Sequence, residues 1–184
     1  MRIITGSAKG TKLKTPRGLD TRPTADRVKE SIFNILSEKI MDAVVLDLFS
    51  GTGNLALEAL SRGASRAVLV DQSLTSIAVI KQNVLQTKCK ARVEILKCEA
   101  LKALQKMIQI GWKFDLIFCD PPYNKGLNDL VLQTLDRSQL LAPRGVIVIE
   151  HSQHELLVPG WNKLEIRRVE KYGETAVSFL QYNN

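Results

Sequence analysis

Four consecutive residues near the middle of the chain could do chemistry together: Asp120, Pro121, Pro122 and Tyr123. The two prolines fix an extended turn and remove two backbone donors, so the Asp120 carboxylate and the Pro121 carbonyl can both accept hydrogen bonds. A base amine offers two protons, and accepting both would turn its nitrogen lone pair towards a methyl donor. Tyr123 adds a ring on which a base could stack. The motif therefore favours methyl transfer to the exocyclic amine of a base.

A glycine-rich stretch, Asp47–Gly53, ends an earlier apolar run. Gly51 and Gly53 permit a tight turn and the close approach of a ligand to the backbone. Free N–H groups at the start of a following helix can hold a carboxylate or a phosphate. Asp71 lies 18 residues beyond Gly53, where a dinucleotide site would also place an acid. The glycines alone therefore predict a nucleotide-like ligand without specifying which one.

Three acids at successive predicted strand ends indicate which nucleotide-like ligand would bind. Asp47 would repel a pyrophosphate but suits the methionine ammonium of S-adenosylmethionine. Asp71 would accept hydrogen bonds from ribose hydroxyls, and Glu99 or its backbone neighbours would contact adenine. The predicted cofactor-binding residues are Asp47, Phe49, Ser50, Gly51, Gly53, Asp71, Gln72, Glu99 and Ala100. Three cysteines without paired spacing and two histidines predict no metal site.

The elements that must position these residues follow from an alternation of short β-branched runs and amphipathic stretches, which predicts a mostly parallel α/β sheet. Strands are expected at Val44–Phe49, Ala67–Asp71, Arg92–Leu96, Asp115–Cys119 and Gly145–Glu150, with a closing hairpin of Lys163–Val169 and Ala176–Tyr182. Helices are expected at Asn54–Arg62, Leu74–Gln86, Leu101–Ile110 and Asn128–Asp136, after a first helix capped by Thr24 and ending near Lys39. Ligands of such sheets bind beyond the carboxyl ends of the strands, where both motifs fall.

The positive charge of the chain is concentrated at its N-terminus. The 184 residues carry a net charge of +7, and residues 1–30, with eight basic and three acidic side chains, supply +5 of it. Such a concentration is typical of a nucleic-acid partner, and Arg2, Lys9, Lys12 and Lys14 would contact it from a small β-hairpin. We expect one domain, with residues 1–20 as the basic hairpin extension and 24–184 as the catalytic core. No apolar run approaches the roughly 18 residues of a membrane helix, and no secretion signal is visible, so we expect a cytoplasmic monomer.

These motifs resemble those of known enzymes. Asp47–Gly53 is similar to motif I of class I S-adenosylmethionine-dependent methyltransferases, and Asp120–Tyr123 to the Asp/Asn-Pro-Pro-Tyr motif of enzymes that methylate exocyclic base amines. The opening Arg2-Ile3-Ile4-x-Gly6 and the string Arg22–Glu30 resemble the RsmD-type family of 16S rRNA (guanine(966)-N(2))-methyltransferases. The similarity to that family extends essentially from end to end.

The resemblance implies a class I, Rossmann-like methyltransferase: a mostly parallel seven-stranded sheet with helices on both faces and an N-terminal basic β-hairpin for RNA. It implies that Asp120, Pro121 and Tyr123 hold a flipped guanine, and that Arg22, Thr24 and Arg27 lie near the catalytic face and contact RNA. S-adenosylmethionine would be the cofactor. The partner would be 16S rRNA within a small-subunit particle or an assembly intermediate.

Three alternatives stay open at this point. The motif Asp120–Tyr123 also serves methylation of adenine N6 in DNA or RNA. The fold could belong to a non-catalytic RNA-binding factor of ribosome assembly, against which the intact motif argues. An NAD-dependent oxidoreductase would also have the glycine loop, but Asp47 and the absence of a substrate domain argue against it.

Overall fold

Seven strands build the sheet in the computed structural model, which describes residues 1–16, 23–122, 126–155, 157 and 160–183, with only the backbone of residues 23–25. The strands are β1 (Val44–Leu48), β2 (Arg66–Asp71), β3 (Val93–Lys97), β4 (Phe114–Cys119), β5 (Leu141–Ser152), β6 (Leu164–Tyr172) and β7 (Thr175–Tyr182). The helices are α1 (Pro23–Leu36), α2 (Asn54–Ser61), α3 (Leu74–Gln86), α4 (Ala100–Gln109) and α5 (Leu127–Asp136), and two 3-10 turns lie at Ser37–Lys39 and Lys90–Arg92.

The strand order is β3-β2-β1-β4-β5-β7-β6. The first five strands of this order are parallel, and β7 runs antiparallel to both β5 and β6. Asp47 in β1 lies beside Leu69 of β2 and Phe118 of β4. The order reverses direction between β1 and β4, which is where open α/β sheets bind their ligands. The predicted mostly parallel sheet with a closing antiparallel hairpin is confirmed, and the hairpin joins β5 through β7.

Alternate residues of the strands feed two apolar layers, one on each face of the sheet. Val45 packs with α1, α2 and α3 on one face, through residues such as Phe33, Leu57 and Ile80. Leu46, the next residue, packs with α4 and α5 on the other face. This alternation is the period-two pattern of a strand buried on both sides. The predicted arrangement of helices on both faces is confirmed.

The N-terminal segment, which we define as residues 1–16, is folded against the domain. Arg2 and Lys12 form a single antiparallel bridge, so the predicted hairpin is a turn with one bridge rather than two full strands. Ile3 and Leu13 are buried in the same apolar layer as α1 and α2. The segment is therefore anchored through its own side chains, because burying two aliphatic residues contributes roughly 1.5–3 kcal/mol each.

The first helix differs from its prediction at both ends. It begins at Pro23, so Thr24 lies within the helix rather than capping it, and proline is well suited to a first helical position because its N–H would have no partner there. The helix ends at Leu36, and the following turn is a separate 3-10 element. None of the described helices is long and apolar enough to cross a membrane.

Candidate active site

The glycine loop between β1 and α2 is shaped by the end of the strand and the start of the helix. Phe49 has a φ of 62° and Gly53 a φ of 77°, so the chain turns sharply on both sides of Ser50. Asp47 is buried, and its Oδ2 accepts a hydrogen bond from the N–H of Ala56 at 3.2 Å. This carboxyl group therefore holds the first turn of α2 against β1, as acids do at helix N-termini.

Ser50 fastens the loop to β2. Its hydroxyl donates to the carbonyl of Asp47 at 2.6 Å and accepts from the N–H of Val70 at 3.0 Å. Its own N–H donates to the carbonyl of Val70 at 2.9 Å. Ser50 is buried, so these contacts fix the height of the loop above the carboxyl ends of β1 and β2.

Asp71, the last residue of β2, reaches back to the same loop. One carboxylate oxygen accepts from the N–H of Gly51 at 2.8 Å, and the other accepts from the N–H of Ser73 at 2.8 Å. The acid is half-buried and faces the adjoining cavity. It thus joins the loop, the strand end and the start of α3.

A cavity of about 410 Å³ opens at the carboxyl ends of the strands. Volumes of this size are typical of small-molecule sites. The predicted residues that line it are Phe49, Asp71, Gln72, Glu99, Ala100, Asp120 and Pro122. The rest of its lining is Val70, Ser73, Cys98, Leu101 and Leu127. The structure thus brings cofactor-site and catalytic-motif residues to one cavity.

Other predicted residues stand behind that surface. Asp47, Ser50 and Gly53 are buried, Gly51 is half-buried, and Pro121, two residues after the end of β4, is buried. Tyr123 and Arg22 lie outside the described residues. Asp47 and Ser50 therefore shape the loop from below, while Asp71 and Asp120 present acids to the cavity.

The carboxyl groups of Asp47 and Asp120 both have a pKa above the ordinary value of an aspartate. Burial raises the pKa of Asp47 to about 7, Asp71 adds to this shift, and the hydrogen bond from Ala56 opposes it. Asp120 is an exposed residue that lines the open cavity. Desolvation of its carboxyl group, followed by the charges of Glu150 and Asp47, raises the pKa of Asp120.

The lining fits S-adenosylmethionine. Asp71 uses one hydrogen bond on each carboxylate oxygen and so retains acceptor capacity for the two hydroxyls of a ribose. Phe49, Leu101 and Leu127 offer apolar surface on which an adenine could pack. Glu99 is exposed, pairs with Lys102 at 3.1 Å and lies at the N-terminus of α4.

The predicted RNA-binding side chains are on the surface. Arg2, Lys9, Lys12, Lys14 and Arg27 are exposed, and Arg2 and Lys12 stand opposite each other across the N-terminal bridge. None of these five side chains forms an ion pair with a described residue. They are thus available to phosphates.

A mostly parallel sheet with an antiparallel seventh strand and a glycine loop after β1 is the architecture of the class I methyltransferases, which use S-adenosylmethionine. The acid-Pro-Pro turn after β4 resembles that of the members which methylate exocyclic base amines. Residues 1–181 match the model of the family described as "Conserved hypothetical protein 95", and the chain belongs to this RsmD-type family. The resemblance found in the sequence is therefore confirmed, and methyltransferase prevails over the oxidoreductase interpretation.

Similar proteins agree with this assignment. The chain is 38% identical over 181 residues to "Putative rRNA methyltransferase YlbH" of Bacillus subtilis strain 168, with 98% of each chain covered. It is 34% identical over 150 residues to "Ribosomal RNA small subunit methyltransferase D" of Escherichia coli K12, covering 82% of this chain and 74% of the relative. The solved structure of yhhF from Escherichia coli superposes with a TM-score of 0.88 at 33% identity, covering 100% of this chain and 98% of that one.

Proposed function

We propose that the protein transfers the methyl group of S-adenosylmethionine to the exocyclic N2 amine of one guanine in 16S rRNA. The observation that carries the proposal is the position of Asp120, which follows β4 and lines the same cavity as Asp71 and Gln72. An acceptor for a base amine thus stands beside a pocket suited to the cofactor. The relatives named for ribosomal RNA small subunit methylation support RNA as the substrate class.

The chain's own residues perform the positioning. Asp120 and the Pro121 carbonyl would each accept one proton of the guanine amine, which fixes the direction of the nitrogen lone pair. Pro122, the next residue, lines the cavity. Tyr123 would stack on the flipped base. When bound, S-adenosylmethionine supplies a methyl group activated by the adjacent positive sulfur.

The cofactor would be held by the cavity residues and by the loop behind them. Asp71 would accept from the ribose, and Gln72, Glu99 and Ala100 would border the adenosine half. Asp47, Ser50, Gly51 and Gly53 would set the shape of the loop against the methionine half.

The RNA partner would contact the exposed basic side chains of the N-terminal segment and Arg27. The family resemblance adds Arg22 and Thr24 as RNA contacts, and the side chains of both lie outside the described residues. We propose 16S rRNA in a small-subunit particle or an assembly intermediate as the substrate, and a monomer acting in the cytoplasm as the active form. The exposed basic side chains, which form no ion pair with a described residue, support the RNA partner, because phosphate contacts supply a large share of the affinity of protein–nucleic acid complexes.

The test is methyl transfer from labelled S-adenosylmethionine to small ribosomal subunits lacking the modification, followed by nucleoside analysis. The expected product is N2-methylguanosine at one position. N6-methyladenosine would keep the chemistry and overturn the substrate. No transfer despite measured cofactor binding would contradict the proposed substrate particle.

A pair of Asp→Ala variants tests the role of Asp120. Asp120→Ala is expected to lower kcat about 100-fold or more while the cofactor Kd changes little, because alanine has no oxygen that could accept a proton of the amine. Asp115→Ala is the matched control, since Asp115 lies at the opposite end of the same strand, β4. Equal losses in kcat and cofactor affinity would contradict the role.

A further inference from the structure

Two residues of the glycine loop region are tied to the N-terminal segment by buried side chains. Thr52 and Asn54 flank Gly53, and each receives a hydrogen bond from a buried polar residue that also binds the backbone of residues 1–16. The glycine loop, which is called the cofactor loop below because the proposed function places the cofactor against it, is therefore connected to the N-terminal segment. The two belong to one hydrogen-bonded network.

Asn83 of α3 makes the first tie. Its Nδ2 donates to the carbonyls of Thr52 at 2.9 Å and of Lys14 at 3.0 Å. Its Oδ1 accepts from the N–H of Lys14 at 2.8 Å. Asn83 is fully buried, so this amide is committed to holding the two backbones together.

Lys29 of α1 makes the second tie. Its Nζ donates to the backbone carbonyl of Arg2 and to the side chain of Asn54, the latter at 2.8 Å. The same ammonium lies 3.3 Å from the carboxylate of Glu58, which in turn accepts the N–H groups of Ile4 and Thr5. Glu58 and Lys29 are both buried. A displacement of either side chain would therefore leave a buried charge without its partner.

Lys14 would connect a bound RNA to this hydrogen-bonded network. Its side chain is exposed and forms no ion pair with a described residue, whereas its backbone is held on both sides by Asn83. A phosphate that fixes the Lys14 side chain would thereby restrain the partner of Asn83, and Asn83 would pass that restraint to Thr52.

We infer that Asn83 is a positioning residue that couples RNA held at Lys14 to the cofactor loop at Thr52, so that RNA and cofactor each strengthen the binding of the other. This inference rests on the proposed function, because it requires an RNA substrate. Such coupling is reciprocal by thermodynamic necessity.

The experiment measures the coupling itself. The Kd of labelled S-adenosylhomocysteine is determined by equilibrium dialysis with and without saturating unmodified small ribosomal subunits, whose binding is followed by sedimentation. For the unaltered protein we expect the subunits to tighten cofactor binding about 5-fold or more, and for Asn83→Leu less than about 2-fold. A merely structural role of Asn83 would weaken each ligand separately and leave this ratio intact.

Ser61→Ala is the matched control. The Ser61 hydroxyl accepts from the N–H of Ala8 at 2.9 Å and donates to the carbonyl of Thr5 at 2.6 Å, so it also anchors the N-terminal segment. These contacts do not touch the cofactor loop. The ratio is therefore expected to survive in Ser61→Ala.

A second pair of variants avoids any loss of folding, because both side chains are exposed. Lys14→Gln is expected to weaken subunit binding and to remove the coupling, whereas Lys9→Gln, in the turn of the same segment, weakens subunit binding and keeps the coupling. Full coupling in Asn83→Leu or in Lys14→Gln would overturn the inference while methyl transfer by the unaltered protein stands. Absence of subunit binding by the unaltered protein would overturn the proposed function as well.

Discussion

The carboxylate of Asp71 accepts a hydrogen bond from the backbone N–H of Gly51 at 2.8 Å, and this contact ties the end of β2 to the glycine loop between β1 and α2. Its other oxygen accepts from Ser73. A carboxylate offers about four acceptor positions, so the protein uses half of them and leaves the others for a ligand. The same acid therefore shapes the loop and faces the cavity.

Asp71→Asn is expected to weaken cofactor binding about 10- to 100-fold, because an amide nitrogen would oppose one of the two backbone N–H groups and could not accept from ribose. The effect on kcat at saturating cofactor is expected to be small. Calorimetric titration of S-adenosylhomocysteine together with steady-state kinetics measures both. Glu99→Gln is the comparison: Glu99 is exposed and pairs only with Lys102 among described residues, so a smaller effect is expected. A kcat loss as large as the affinity loss would contradict this division.

The activity should rise with pH. Desolvation, Glu150 and Asp47 raise the pKa of Asp120 to about 8, so part of the protein carries a protonated Asp120 near neutral pH. A group with a raised pKa gains its accepting, charged form only as the pH increases. The kcat/KM for RNA is therefore expected to increase between about pH 6 and pH 9 and then level off.

Glu150→Gln provides the check on that assignment. Removing this neighbouring charge takes away one cause of the raised Asp120 pKa, so the rising limb of the profile is expected to move to lower pH. A profile that keeps its midpoint in Glu150→Gln would show that another group, such as the buried Asp47, controls the pH dependence.

Periodicity predicted the elements that carry the site well. The helix Leu74–Gln86 has the predicted bounds, and the strands ending at Asp71 and Cys119 end where their apolar runs end. Both signals are local, because burial on both faces of a parallel strand requires an uninterrupted apolar run. The placement of Asp71 and Asp120 at one cavity followed from these strand ends together with the rule for ligand sites.

The pairing of the last strands and the docking of the N-terminal segment could not be predicted in the same way. The insertion of β7 between β5 and β6 depends on which strand edges meet, which the chain does not encode locally. The buried amide of Asn83 and the buried ion pair of Lys29 and Glu58 were missed, because such polar residues normally indicate a solvated helix face. Their signal was their position: Asn83 falls between Ile80 and Val84 on the apolar face of α3.

Glu58→Leu is expected to lower the free energy of unfolding by about 3–5 kcal/mol, because it leaves a buried ammonium without its counter-charge. Burial already lowers the pKa of Lys29, and Glu58 opposes that shift. The double variant Lys29→Met/Glu58→Leu is expected to be more stable than Glu58→Leu alone. Urea unfolding followed by circular dichroism measures both variants and the single variant Lys29→Met. Additive losses from the two substitutions would contradict the interaction.

Gly6 and Gly10 form a matched pair that tests how the N-terminal segment is docked. Both have a φ near the left-handed region, at 88° and 85°, so alanine costs about 1–2 kcal/mol of backbone strain at either position. A Cβ at Gly6 would lie 1.8 Å from the carbonyl oxygen of Ser61, whereas a Cβ at Gly10 meets nothing within 4 Å. The Ser61 carbonyl also accepts the N–H of Ser7, so that backbone cannot withdraw without losing the contact.

Gly6→Ala is therefore expected to destabilise the fold by about 1–3 kcal/mol more than Gly10→Ala, because the clash separates the segment from α2. It should also lower affinity for small ribosomal subunits several-fold, since Arg2 and Lys12 lose their fixed placement. Thermal unfolding and sedimentation binding measure the two effects. Equal behaviour of the two variants would mean that the segment does not need its contact with Ser61 to bind RNA.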